Sequence, residues 1–381
     1  MFRHNRIWLR KLSFLLVVLL LTGVSILGCT RTGTEPKGWS GGAIANDALF
    51  LGSMEGKLVA VNILDGSRLW EVLLETEAPA GGFGCAPAST AVAIYGSPAV
   101  DGDLVYVGGY NGKVYAYALN RDEPKWVYPR GGNLGGPIIG GIIVAQGKLY
   151  FGSADGKVYA LETTEGYKEK GWPFEAGDKI WSTPATDVDT LYIGSFDKKL
   201  YALNIADGSK KWEFETEGAI VSTPVVYNNT VFIGSFDRYL YALDAADSSL
   251  KWKFMAENWF WAKPVVCNDT IYAACLDGKV YGLDVDSGDT RVVFDLGSPI
   301  SSSPVLVDDL LIVATQEGVV YALDTVNNEK WQLTDLEEKV RASLSASEGF
   351  IYIHTEADAL YAVDIRSGAI REFDIKFSEE R

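Results

Sequence analysis

Read only for apolar and polar positions, the chain breaks into short apolar runs separated by turns rich in Gly, Asn and Asp. β-branched and aromatic residues fill the runs, the pattern of short strands rather than helices. The runs recur. LFLGSMEGKLVAVN, VYVGGYNGKVYAYA, LYFGSADGKVYALE, LYIGSFDKKLYALN, VFIGSFDRYLYALD, IYAACLDGKVYGLD, LIVATQEGVVYALD and IYIHTEADALYAVD align as eight copies of one segment. Their shared small position falls at Gly52, Gly108, Gly152, Gly194, Gly234, Ala274, Ala314 and His354, with spacings of 56, 44, 42, 40, 40, 40 and 40. A period of about 40 residues marks a repeat architecture.

Each copy predicts four strands. In the fourth copy these are Ser182–Thr186, Leu191–Gly194, Leu200–Asn204 and Lys211–Glu215. The turns between them are Asp187-Val188-Asp189, Asp197-Lys198 and Ala206-Asp207-Gly208, residues that accept turn geometry. A proline precedes most copies (Pro98, Pro184, Pro224, Pro264, Pro304), with Pro137 in the same part in the third. One four-stranded sheet cannot bury both faces, so neighbours must stack. Radial closure also hides strand edges. The expected fold is all-β, an eight-bladed β-propeller of four-stranded antiparallel blades over residues 39–381. The copies run in phase from first to fourth strand, so closure needs no strand swap.

Gly-His and Trp-Asp dipeptides, the marks of WD-type propellers, do not occur. What recurs is Ala202-x-Asn204-x-x-x-Gly208-x-x-x-Trp212, again from Ala60 through Gly66 to Trp70, with weaker versions ending at Trp252 and Trp331. This resembles the tryptophan-docking repeat of the pyrroloquinoline-quinone (PQQ)-like propellers, a superfamily that holds quinoprotein alcohol dehydrogenases and BamB-type envelope lipoproteins. The resemblance implies that Trp70, Trp126, Trp212, Trp252 and Trp331 dock blade on blade. It is specific for fold and says little about function.

The start of the chain reads differently. Arg3, Arg6, Arg10 and Lys11 precede an apolar run from Leu12 toward Leu27, too short to span a bilayer comfortably. The run ends in Ile26-Leu27-Gly28-Cys29, which resembles a bacterial lipobox, implying a signal peptide over 1–28, lipidation of Cys29 and a polar tether over 29–38. The alternative is an uncleaved N-terminal anchor. Both place the rest of the chain outside the cytoplasm, held at the cell membrane or outer membrane. The whole chain carries −16, and its remainder after those four basic residues carries −20. Such a body repels nucleic acid and anionic headgroups, which argues against nucleic-acid binding and leaves membrane attachment to the lipid. Beyond Cys29 only Cys85, Cys267 and Cys275 remain, no disulfide framework. Cys267 and Cys275 fall on two arms of one hairpin at positions that should not bond.

Candidate catalytic chemistry is sparse. Of two histidines, His4 lies in the leader and His354 replaces the small residue of the eighth copy, where a packed structural role is expected. No triad, Cys–His pair or histidine-based zinc site can be assembled, and no metal or cofactor is expected. Asp284-x-Asp286-x-Gly288-Asp289 superficially resembles a calcium loop, but it coincides with the strand-three to strand-four turn of the repeat. PQQ-dependent dehydrogenases commonly carry adjacent cysteines at the cofactor, and no Cys-Cys pair occurs.

Recognition is the remaining class. The residue thirteen before the small position is Trp39, Tyr95, Trp181, Val221, Trp261, Ser301 or Arg341. In a closed propeller these converge on the central axis. The sixth copy adds Trp259 and Lys263 beside Trp261. Aromatic anchors with an adjacent cation suit binding; the competing expectation is rings that plug the channel or pack between blades. The Gly-rich stretch around Ala80–Pro87 would join the same face, as a partner loop or an unselected insertion. The sequence therefore points to a non-enzymatic, BamB-like scaffold with an envelope protein partner. Small-molecule or glycan capture at the mouth is the second reading, and a PQQ-dependent dehydrogenase the third.

Overall fold

The computed structural model describes residues 38–74 and 91–375. The expected leader over 1–28, Cys29, the expected tether and the Gly-rich stretch with Cys85 lie outside these residues. Eight four-stranded antiparallel sheets occupy residues 43–73, 99–128, 143–175, 185–215, 225–255, 265–295, 305–335 and 345–373, blades 1 to 8. In every sheet the strands lie in chain order, a plain meander, and the blades form an eight-bladed β-propeller. Among the described residues no strand is exchanged between the first and last blades.

Strands two and three of each blade are the buried ones: Thr190–Gly194 is buried throughout, and Lys199–Asn204 at its four central residues. Both faces of these strands carry apolar residues because each face meets a neighbouring blade. One core cluster joins Tyr192, Leu200 and Ala202 of blade 4 to Val231, Ile233 and Tyr241 of blade 5. The small repeat position follows from this packing. A Cβ on Gly194 would stand 2.2 Å from Ile220 Cγ2, and one on Gly152 2.2 Å from Ile180 Cγ2.

The Ala-x-Asn-x-x-x-Gly-x-x-x-Trp motif also has a geometric cause. Ala202 pairs across the sheet with Trp212, and a bulge follows; Ala60–Trp70, Ala116–Trp126 and Ala242–Trp252 repeat this. Each indole then reaches the next blade. Nε1 of Trp70, Trp126, Trp212 and Trp252 donates to the carbonyls of Leu119, Thr163, Ala245 and Val285, at 2.8, 3.0, 2.9 and 3.0 Å. The motif glycine of that next blade lies flat against the ring: a Cβ on Gly288, which has φ +74, would sit 2.6 Å from Trp252 Cδ2. Trp331 departs from the pattern. In blade 7 the bulge falls between Val320 and Tyr321, the ring is 40% exposed, and its Nε1 makes no hydrogen bond among the described residues.

Two further details differ from the sequence reading. The proline position of blade 3 is filled by Ile142, immediately before the strand Ile143–Ala145. Pro137 lies five residues earlier, its carbonyl accepting Ala154 N at 2.8 Å, as Lys179 accepts Phe196 N in blade 4. The innermost strands are also shorter than expected; in blade 4 only Ala185–Thr186 is strand. Pro184 has no N–H to give the ladder, so pairing begins after it.

Phe373 of blade 8 takes the docking place at the closure, beside Gly66 of blade 1, while Arg371 donates to the carbonyls of Ile63 and Leu64. Cys267 is half-buried and Cys275 buried, both as free thiols. Burial pushes the Cys275 thiol up to about 12, which keeps it protonated and inert.

Candidate functional site at the mouth of the channel

The segment entering each blade alternates. Ile180, Ile220 and Ile300, like Ser182, Ser222 and Ser302, are fully buried. The serines are anchored by hydrogen bonds at 2.8 Å: Ser182 Oγ donates across the seam to Ser222 O of the next blade, and Ser222 Oγ donates within its own blade to Gly234 O. With those positions anchored, the residues between them must face the axis. Trp39, Tyr95, Ile139, Trp181, Val221, Trp261, Ser301 and Arg341 accordingly meet around a cavity of about 270 Å³. Two residues further on stands a ring of small or hydroxylated side chains, interrupted by Lys263 in blade 6. The same ring also borders a second space of about 600 Å³ among the inner strands.

The aromatic residues form two arcs. In the first, Arg341 Cζ lies 5.6 Å from the Trp39 ring, Trp39 meets Tyr95 edge-on at 4.7 Å, and Tyr95 lies 5.6 Å from Tyr110. Burial raises the Tyr95 phenol, and Tyr110 beside it adds to the shift, so the hydroxyl stays neutral. In the second, Lys179 Nζ covers Trp181 and Phe196 at 4.9 and 4.3 Å, and Trp181 meets Phe196 edge-on at 4.6 Å. Phe196 leads to Phe236 at 6.3 Å, and Phe236 stacks on both Trp259 (4.5 Å, 15°) and Trp261 (5.5 Å, 25°). Trp259 is 44% exposed and lies outside the cavity lining, making it the outer end of an aromatic shelf.

A family model described as outer membrane protein assembly factor BamB matches residues 38–171 and 168–372. The chain belongs to the BamB family of PQQ-like propellers. It is 31% identical over 123 residues to the outer membrane protein assembly factor BamB of Shewanella oneidensis; the matched stretch is 32% of this chain and 27% of that protein. The crystal structure of BamB from Moraxella catarrhalis superposes with a TM-score of 0.68 at 17% identity, covering 84% of this chain and 94% of that one. The computationally designed Ika8 protein reaches 0.69 at 14% identity, covering 90% and 97%. At these identities the two structures share the fold alone.

In this BamB-family chain the mouth therefore gathers Trp39, Tyr95, Trp181, Trp261, Lys263 and Arg341, and places Trp259 on the shelf beside them. Sequence reading missed Ile139, Tyr110, Lys179, Phe196 and Phe236. A signal was present: Tyr110, Phe196 and Phe236 each stand two residues after the small repeat position, on the hairpin between strands two and three.

His354 is buried in the closure seam, away from the mouth lining. Asp284 folds over its own turn, Oδ1 accepting from Asp286 N and Ser287 N at 2.9 and 2.8 Å, and it also bonds Arg291. Among the described residues no three His, Cys, Asp or Glu side chains gather as a metal site.

Proposed function

We propose that this protein is a non-enzymatic scaffold of the cell envelope, tethered outside the cytoplasm through a lipidated Cys29, that binds an envelope protein on the mouth face of its propeller. The observation that carries the reading is the shelf of Trp181, Phe196, Phe236, Trp261 and Trp259. Trp259 at the outer end is exposed and the other four rings are half-buried, and aromatic clusters are the usual anchors of protein recognition. Family membership supports it, since the related proteins are named for outer-membrane protein assembly. Loops and hairpins on a rigid ring suit recognition, because blade packing fixes their spacing while their sequence varies.

The test is affinity purification of the intact protein from gently solubilised membranes, native against Trp259→Ala with Phe236→Ala. A partner recovered with the native protein and lost with a folded double variant supports the scaffold. Equal recovery by both forms, or none by either, overturns it.

A further inference from the structure

The chamber at the channel mouth has a chemistry that the scaffold reading does not use. Acidic residues outnumber basic ones by 50 to 34 in this chain, yet among the described residues no carboxylate lines the chamber, while two cations do. Those cations differ. Arg341 is held by Glu356 and by the Trp39 ring. Lys263 is exposed, and its ammonium has no ion pair or hydrogen bond among the described residues. Only its backbone is fixed, Lys263 N donating to Ser303 Oγ at 3.1 Å.

Two buried groups beside the chamber also lack partners. Among the described residues Ser301 Oγ and Trp181 Nε1 make no hydrogen bond, and Ser301 is only 8% exposed. A buried polar group left without a partner carries a desolvation penalty that a ligand atom would relieve. An indole N–H can only donate, so Trp181 asks for an acceptor, as does an ammonium. The neutral Tyr95 hydroxyl is a further donor. The rest of the wall combines ring surface from Trp39, Tyr95 and Trp261 with the aliphatic Ile139 and Val221 and with small or hydroxylated residues. At about 270 Å³ the chamber falls just under the 300–1,000 Å³ or so of sites for drug-sized ligands. It therefore suits one ring rather than an oligosaccharide.

We infer that the channel mouth binds a small organic carboxylate, a single ring or short apolar body carrying one acid group, with Lys263 as its counter-ion and Ser301 of the adjoining blade as a hydrogen-bond donor. The inference does not rest on the scaffold reading, because neither Lys263 nor Ser301 belongs to the aromatic shelf.

The experiment titrates phenylacetate, with phenylacetamide as the neutral control, into the intact detergent-solubilised protein and reads ligand NMR saturation transfer. The expected result is saturable phenylacetate binding, at least tenfold weaker binding of the amide, and at least tenfold loss in Lys263→Gln. Ser301→Ala removes an unpartnered hydroxyl, so it leaves folding intact and weakens phenylacetate several-fold. Equal binding of acid and amide overturns the proposal. So does unchanged binding in Lys263→Gln, or no saturable binding at all, which would make the chamber a water-filled end of the channel. Partner recovery by the Phe236 and Trp259 double variant is read separately, so either idea can fail alone.

Discussion

His354 Nε2 lies 2.9 Å from Asp358 Oδ1 at the seam where the last blade meets the first. The pair is tied across that seam on both sides. His354 Nδ1 stands 3.1 Å from the Ser40 carbonyl, and Asp358 Oδ1 accepts Met54 N at 2.7 Å. A carbonyl can only accept, so Nδ1 carries a proton in this arrangement. The side chain that replaces glycine or alanine in the eighth copy is thus a clasp on ring closure. Deleting the imidazole leaves the buried Ser40 carbonyl without this donor and removes one of the two contacts to Asp358 Oδ1. His354→Ala should lower stability by about 1–3 kcal/mol. Amide hydrogen exchange should accelerate first in blades 1 and 8. Faster exchange spread evenly over the ring would contradict the clasp.

The docking tryptophans should not be equal. Trp252 is buried and bonded to Val285 O, whereas Trp331 is 40% exposed with no such bond. Trp252→Ala should cost about 3–5 kcal/mol, as buried Trp→Ala changes do. Trp331→Ala should stay within about 1 kcal/mol. Parallel denaturant titrations of the two variants compare them directly, and equal losses would count against the blade-seam account.

Gly194 is glycine for lack of room. Gly194→Ala should destabilise by about 1–3 kcal/mol through overpacking against Ile220. Ile220→Ala in the same chain should return part of that loss, because it removes the clashing Cγ2. A double-mutant cycle by thermal denaturation measures the coupling; simple additivity would show that the steric contact is not the cause. Ala274 fills the same position in blade 6, so the constraint belongs to each seam and not to the repeat as such.

The pH profile should fall away at both ends. Backbone N–H donation from Ser287, then the bond from Arg291, lower Asp284 from 3.8 to about 2. Its contribution is complete above about pH 4 and is lost as pH falls through about 2. Burial raises Tyr106 and Tyr150 from 10.0 to about 12. Because the neutral phenol is the favoured form, their contribution is complete below pH 10 and is lost as pH rises through about 12. Carboxyl-detected NMR should place the Asp284 midpoint near 2, and Arg291→Ala should move it upward. An unshifted midpoint in the native chain would overturn the assignment.

The repeat makes the fold legible from the amino-acid sequence. An apolar strand pattern with turn residues at a fixed period specifies four-stranded units; units with two apolar faces have to stack, and four strands per copy favour a closed ring over a solenoid. The same periodicity brings Trp39, Tyr95, Trp181, Trp261 and Arg341 to one place, because positions in equal phase must share one radius of a closed ring. Other features depend on contacts between residues distant in sequence. Ile142 rather than Pro137 fills its place in blade 3, since only strand pairing fixes register after an insertion. Trp331 faces water because the bulge in its blade is displaced. Phe196, Phe236 and Trp259 become one shelf only when neighbouring hairpins are set side by side. The His354 clasp joins residues 314 positions apart in the chain. Local pattern selects strands and turns, while the partner of a buried polar group or an exposed ring is decided by the neighbour that closure brings against it.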